Sequence, residues 1–305
     1  MPKLLNQIEC TTNLSKSSNI GFRYSSLISQ LAEVNRSQHF SKSPLGDLGV
    51  KNDNLSYIKK FLFLLVLFTF IEFVSAAQDA KTIVKKMDDN LQGNSNSSVM
   101  RMDIIRPKYT RSIEFKNWSL THDYFMTIVT APAKEKGQVF MKYKTEMWSF
   151  TPSINRIIKL PPSMMSQGWM GSDYSNDDLV KQSSIVNDYT HTLLGEENVD
   201  GSLCYKIEMI PNASSNVVWG KIIIWIEKEN FLSLKSEYYD EEFFIVRTEL
   251  GKEVKLFDGK KLPSIIEIIP AEEPDNKTII SIISMDFEIE IDESFFSQQN
   301  MKKVR

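Results

Sequence analysis

The sequence predicts a mainly β protein of the α+β class: one strongly curved antiparallel sheet, or unclosed β-barrel, of about ten or eleven strands with helices covering its concave face. Three observations carry this expectation. From Val99 to Ile291 one alternating segment follows another, separated by Gly-, Pro- or Asp-bearing turns. A single amphipathic helix comes before them. Between two runs of strands, the stretch from Leu160 to Leu179 breaks the alternation with Pro161-Pro162, Gly168 and Gly171.

The front of the chain reads as separate from the domain. Residues 1–58 are rich in Ser and Asn and form a poorly structured extension, as expected if the start site is placed too early. Residues 59–76 have the pattern of a secretory signal: Lys59-Lys60, the apolar run Phe61 to Ile71, and Val74-Ser75-Ala76 before a cut after Ala76 or Ala77. The run is well short of the roughly 20 apolar residues needed to span a bilayer. Cleavage would remove Cys10 and leave Cys204 as the one thiol, so the fold has to rest on its core rather than on disulfides. The formal net charge is -3, and residues 77–305 carry 28 basic against 34 acidic residues, a net of -6, which argues against a nucleic-acid partner.

One domain is expected over residues 77–297. Ala77 to Gln92 places Ala80, Ile83, Val84, Met87 and Leu91 on one stripe, and the polar run Gly93 to Ser98 stops the helix. Ile113 and Phe115 alternate, then Trp118 and Leu120 fall on the opposite parity, which predicts a bulge near Lys116-Asn117. Strands follow over Tyr124 to Thr130, Val139 to Lys144, Glu146 to Phe150 and Arg156 to Leu160.

The stretch after Leu160 is read as a partly helical lid. Ser172 or Asp173 is expected to cap a short helix whose first turn carries Asp177 and Asp178, where the helix dipole favours negative charge. Beyond it, Asp200-Gly201 and Asp258-Gly259 read as hairpin turns because Gly accepts positive φ. Trp219 to Glu227 is apolar on both faces and needs cover on both. Met285, Phe287, Ile289 and Ile291 alternate with acidic residues, so one face is expected buried and the other solvated. The tail, residues 298–305, is polar and expected to fray.

Several motifs together resemble one family. Trp148-Ser149-Phe150-Thr151-Pro152, Arg156-Ile157-Ile158-Lys159-Leu160 and Gly171-Ser172-Asp173-Tyr174-Ser175-Asn176-Asp177-Asp178-Leu179, behind a signal and one helix, are similar to the bacterial outer-membrane lipoprotein-sorting proteins, the LolA-like family. The resemblance covers most of residues 77–297. It implies an unclosed β-barrel whose hollow holds acyl chains, and a periplasmic carrier that receives a lipid or lipoprotein from an inner-membrane transporter. The Gly-Ser-Asp lid resembles the broader, transporter-associated branch more than the lipoprotein carrier proper.

A carrier has to shield hydrocarbon. At about 0.8 kcal/mol per methylene, a chain of about sixteen carbons represents roughly 12 kcal/mol of transfer free energy. Met and aromatic side chains suit such a hollow because they fill irregular space. On this reading the candidate lining residues are Trp118, Trp148, Leu160, Met164, Met165, Trp169, Met170 and Trp225. Arg156 and Lys159 are candidates for contact with a head group or partner. No catalytic residue, metal or cofactor is expected: there is no Gly-x-Ser-x-Gly elbow, phosphate loop or His-Glu-x-x-His, and His122 and His191 stand in separate strands. The rival reading is a non-carrying accessory or sensor subunit that docks on a membrane transport complex.

Overall fold

The computed structural model describes residues 80–181, 185–215 and 217–305. The signal-like segment and the extension before it lie outside the described residues. No described helix is long and apolar enough to cross a membrane.

A single helix, α1 (residues 80–92), leads into thirteen strands. These are β1 (Ser95–Arg106), β2 (Tyr109–Leu120), β3 (Tyr124–Ala131), β4 (Val139–Tyr143), β5 (Glu146–Thr151), β6 (Arg156–Lys159), β7 (Tyr189–Val199), β8 (Ser202–Pro211), β9 (Lys221–Glu227), β10 (Ser233–Tyr239), β11 (Ile245–Phe257), β12 (Lys260–Pro270) and β13 (Lys277–Phe287). They form one open antiparallel sheet in the order β6-β5-β4-β3-β2-β1-β13-β12-β11-β10-β9-β8-β7. Two meanders meet where β1 pairs with β13, and the two free edges are β6 and β7. The chain therefore has to travel from one edge of the sheet to the other between Lys159 and Tyr189. That crossing is the stretch read as a lid.

The sheet has thirteen strands where ten or eleven are expected, and β1 starts earlier than expected. The run from Ser95 to Ser98, expected to be loop, is already strand, and Ser95, Asn96 and Ser98 are buried. Only Gly93 and Asn94 make the turn: Gly93 takes φ +61 and its N–H donates to the carbonyl of Asp89, the left-handed helix stop that Gly accepts at little cost. Both predicted Asp-Gly hairpins form, with Asp200, Gly201, Asp258 and Gly259 all at positive φ.

Each face of the sheet is covered by a different part of the chain. On the inner face, Ala80, Ile83, Val84 and Met87 of α1 pack against Ile207, Met209, Ile222, Ile224 and Ile226 of β8 and β9. The outer face of β3 to β5 is covered by the C-terminal segment. Past Phe287 the strand ends, Glu288 takes φ +50, and Ile291, Phe295, Phe296, Met301 and Val304 cover Tyr124, Met126, Met141 and Phe150. Two expectations change as a result. The alternation from Met285 to Ile291 is split between the two faces, and the tail does not fray: Ser297 caps the short helix α3 (Gln298–Met301), and Met301 and Val304 are buried. Met301→Ala is expected to cost about 2 kcal/mol, near the low end for a buried Met because the segment can settle. Urea denaturation would measure it, and no change would mean the tail is not part of the fold.

The same cover accounts for Trp118 and Leu120. They pack with this segment, Trp118 lying 5.7 Å from Phe295, while Phe115, Asn117 and Ser119 face inwards. The opposite parity reflects a second buried face. The β2 irregularity against β3 falls between Glu114 and Phe115 instead of at Lys116-Asn117.

Candidate functional site: a strapped hollow

The crossing segment lies over the inner face as a strap. Leu160 and Trp169 are buried with Met102, Ile104, Ile113, Phe115, Val129 and Met147. Trp169 stands edge-on to Phe115 and Phe140, at 5.5 and 5.6 Å. Its loop is stitched to itself: Trp169 N–H donates to Tyr174 O, and Asn176 donates through its side chain to the carbonyls of Met164 and Gln167. A Cβ on Gly168 would lie 2.4 Å from the Ser172 carbonyl oxygen, so this loop closes only with glycine there.

The helix that follows, α2 (Asn176–Lys181), is capped by Ser175 and not by Ser172 or Asp173. Asp178 N–H donates to Ser175 Oγ, and Ser175 N–H and Oγ–H both donate to Asp178 Oδ2, a reciprocal capping box. Asp177 and Asp178 occupy the first turn as expected.

Three arginines of the sheet fasten the strap. Arg111 of β2 donates to Met170 O at 2.7 Å. Arg106 of β1 pairs with Asp173 at 3.0 Å, and Thr278 Oγ1 of β13 donates to the same carboxylate. Arg247 of β11, 5% exposed, pairs with Asp178 at 2.7 Å and Glu249 at 3.0 Å. The Arg247 guanidinium also lies over the rings of Tyr174, Trp219 and Tyr238. Burial drives the Glu249 pKa upwards against the pull of Arg247, and holds Tyr174 and Tyr238 well above the usual phenol value.

Between strap, α1 and sheet lies a hollow of about 210 Å³. The strand register shows how its walls are made. One inward row runs Lys142, Phe125, Ser119 and Asn96 across β4, β3, β2 and β1, and the next runs Phe140, Thr127, Asn117 and Ser98. A third runs Val129, Phe115, Met100 and Ile282, ending on β13. The first two rows carry most of the polar groups and the third is wholly apolar. Leu91 and Gln92 of α1 also line the hollow, as do Trp169, Tyr174 and Leu179 of the strap and Ile266, Ile280 and Met285.

At the polar end, His122 Nε2 lies 2.8 Å from the Asp88 carboxylate of α1. The hydrogen bond to Asp88 and its charge outweigh desolvation and raise the His122 pKa. A raised folded-state pKa gives stability that is fully present below the ordinary imidazole value of about 6.5 and is lost as pH rises through the folded value. Melting curves should therefore show wild type ahead of His122→Gln in acid and level with it in base. An advantage growing towards alkaline pH would contradict this pairing.

Of the eight candidate lining residues, Trp169 lines the hollow. Leu160, Met165 and Met170 pack in the cluster beneath the strap, and Met164 is half-buried beside them in sequence. Trp118 and Trp148 lie on the outer face under the C-terminal segment. Trp225 is buried on the outer side of β9 with Cys204, Leu232 and Leu234, beneath Lys206 and Lys235. Arg156 and Lys159 are exposed on the edge strand β6, with Lys159 paired to Glu146. The hollow's walls instead come mostly from inward strand positions of β1 to β4, β12 and β13. Their signal in the sequence is polar residues such as Asn96, Ser98, Asn117, Ser119 and Thr127 at strand parities that should be apolar.

Comparison with known proteins agrees with this architecture. A family of uncharacterized proteins matches residues 121–303. No curated protein is similar in sequence. Among solved structures, a DUF1329 family protein from Desulfovibrio piger superposes with a TM-score of 0.67 at 22% identity, covering 74% of this chain and 99% of that one. A Vibrio parahaemolyticus domain named for outer membrane lipoprotein sorting gives 0.65 at 20% identity, covering 74% and 99%. A LolA superfamily protein from Nitrosomonas europaea gives 0.61 at 21% identity, covering 72% and 98%. At these identities the likeness shows the fold alone. The chain belongs to this family of uncharacterized proteins, and its fold is LolA-like.

Proposed function

We propose that the protein is an exported lipid carrier, taking the hydrocarbon of a lipid or lipoprotein into the strapped hollow and ferrying it from an inner-membrane transporter towards the outer membrane. The observation that carries this reading is the hollow itself. A sheet of this size can fill its own inner face, yet space remains between Met100, Phe115, Ile282 and the underside of Trp169. The LolA-like fold, with relatives named for lipoprotein sorting, supports it, and the signal-like residues 59–76 fit a periplasmic location.

At about 210 Å³ the hollow is smaller than the roughly 300–1,000 Å³ of pockets that hold drug-sized ligands. Loading a long acyl chain therefore requires the strap to lift. Two of its fastenings are polar and partly exposed, and water can replace the partners of Arg106 and Arg111 as the strap rises, while the apolar contacts of Leu160 and Trp169 have to part with it. Organic extraction of the purified protein followed by mass spectrometry should yield a lipid, and the emptied protein should take up a fluorescent acyl probe. Neither lipid nor uptake would sink the carrier reading. The small volume favours one rival, an accessory or sensor subunit, which would capture a membrane transport complex while failing to take up the probe.

A further inference from the structure

We propose that the hollow receives its ligand head inwards: a single-chain amphiphile whose anionic oxygen headgroup, a carboxylate or a phosphate monoester, sits on Lys142 while its hydrocarbon runs beneath Trp169. This rests on the carrier reading and narrows it from acyl chains in general to one ligand class.

Lys142 stands on β4 at the polar end of the hollow, lines it, and is only 3% exposed. An ammonium has three N–H donors. One is used, on the His122 carbonyl at 2.7 Å. Among the described residues no carboxylate forms an ion pair with it: Asp88 is engaged by His122, and Asp123 acts on it only through longer-range charge. A buried charge is costly unless it is paired. Burial lowers the Lys142 pKa to about 8, so at neutral pH the group remains mostly protonated.

The surroundings continue the same theme. Ser98 Oγ, in the second polar row, is buried and makes no hydrogen bond. Asn117 and Thr127 bond to each other, and Asn117 also donates to Ser119 Oγ. Polarity falls away across the register from Lys142 to Met100 and Ile282, which matches the sequence of head and tail in one amphiphile. A lipoprotein entering tails first would bring methyl ends against this ammonium and leave it unpaired. A fatty-acid-like ligand supplies the missing anion.

The test is calorimetric titration of the protein, freed of co-purifying lipid, with dodecanoate, dodecyl phosphate and dodecanol at submicellar concentrations, repeated on Lys142→Met. In wild type at least one anion should bind roughly tenfold or more tighter than the alcohol, the scale of a charge-assisted hydrogen bond. The tighter of the two anions identifies the headgroup. Lys142→Met should lose that preference while keeping its dodecanol affinity and its melting temperature. If the alcohol matches both anions in wild type, or Lys142→Met keeps the preference, the headgroup site is overturned and the carrier reading stands. If none of the three binds wild type, both fall. The wild-type comparison decides the matter even if the variant does not fold.

Discussion

Replacing Arg247 by methionine is expected to destabilise the protein by about 3–5 kcal/mol, because it leaves Asp178 and Glu249 buried beside each other without their common cation. In a domain of this size each kcal/mol moves the melting temperature by about 2–4 °C. The loss should depend on pH in a defined sense. Glu249 already has a raised pKa from burial, and without Arg247 that rise grows. A carboxyl whose folded pKa lies above its unfolded value contributes stability below the unfolded value and loses it as pH rises through the folded one. The deficit of Arg247→Met should therefore be smallest in acid and widen towards neutrality. Because Asp178 also belongs to the cap of α2, the same variant should loosen the strap and speed probe uptake. Chemical denaturation across pH checks the first part and stopped-flow uptake the second. A deficit independent of pH would mean that Asp178 and Glu249 find other partners.

Filling the hollow should have the opposite pattern, with binding lost and the fold retained. Met100 is half-buried and lines the space between β1 and the strap, so Met100→Trp places a ring where hydrocarbon would lie. Excluding three or four methylenes at about 0.8 kcal/mol each removes roughly 3 kcal/mol of binding, about a hundredfold in affinity. Overpacking in a filled core typically costs about 1–3 kcal/mol. Here the ring enters existing space, so stability should fall less than that. Unchanged affinity for an acyl probe would place its site elsewhere.

These two variants touch parts of the molecule that differed in how readable they were. The strap was legible as an interruption, since Pro161-Pro162, Gly168 and Gly171 exclude a strand, and so was the acidic first turn of α2. Its cap is Ser175, two or three positions beyond Asp173 and Ser172: all three have cap chemistry, and only the fold shows that Ser172 accepts from Tyr174 and that Asp173 is taken by Arg106 and Thr278. The stripe of α1 and both Asp-Gly hairpins follow from local rules that tertiary contacts did not override. The start of β1 is hidden for the opposite reason: Asn96 and Ser98 are polar at inward positions, Asn96 at the polar end of the hollow, so the apolar alternation that marks a strand is missing there. The size of Trp118, Trp148 and Trp225 suits a lining role, but large aromatics serve either buried face, and these three lie on the outer one. Nothing in the local sequence tells that the C-terminal residues Phe295 to Val304 return to cover the outer one.

Hydrocarbon lying in the hollow against the strap would be directly measurable through Trp169. It is the one tryptophan lining this space, while Trp118, Trp148, Trp219 and Trp225 stand outside it. Titration with a bromine-labelled acyl chain should quench part of the fluorescence of wild type, and that part should be missing in Trp169→Phe. Equal quenching in both proteins, or none in either, would contradict the account.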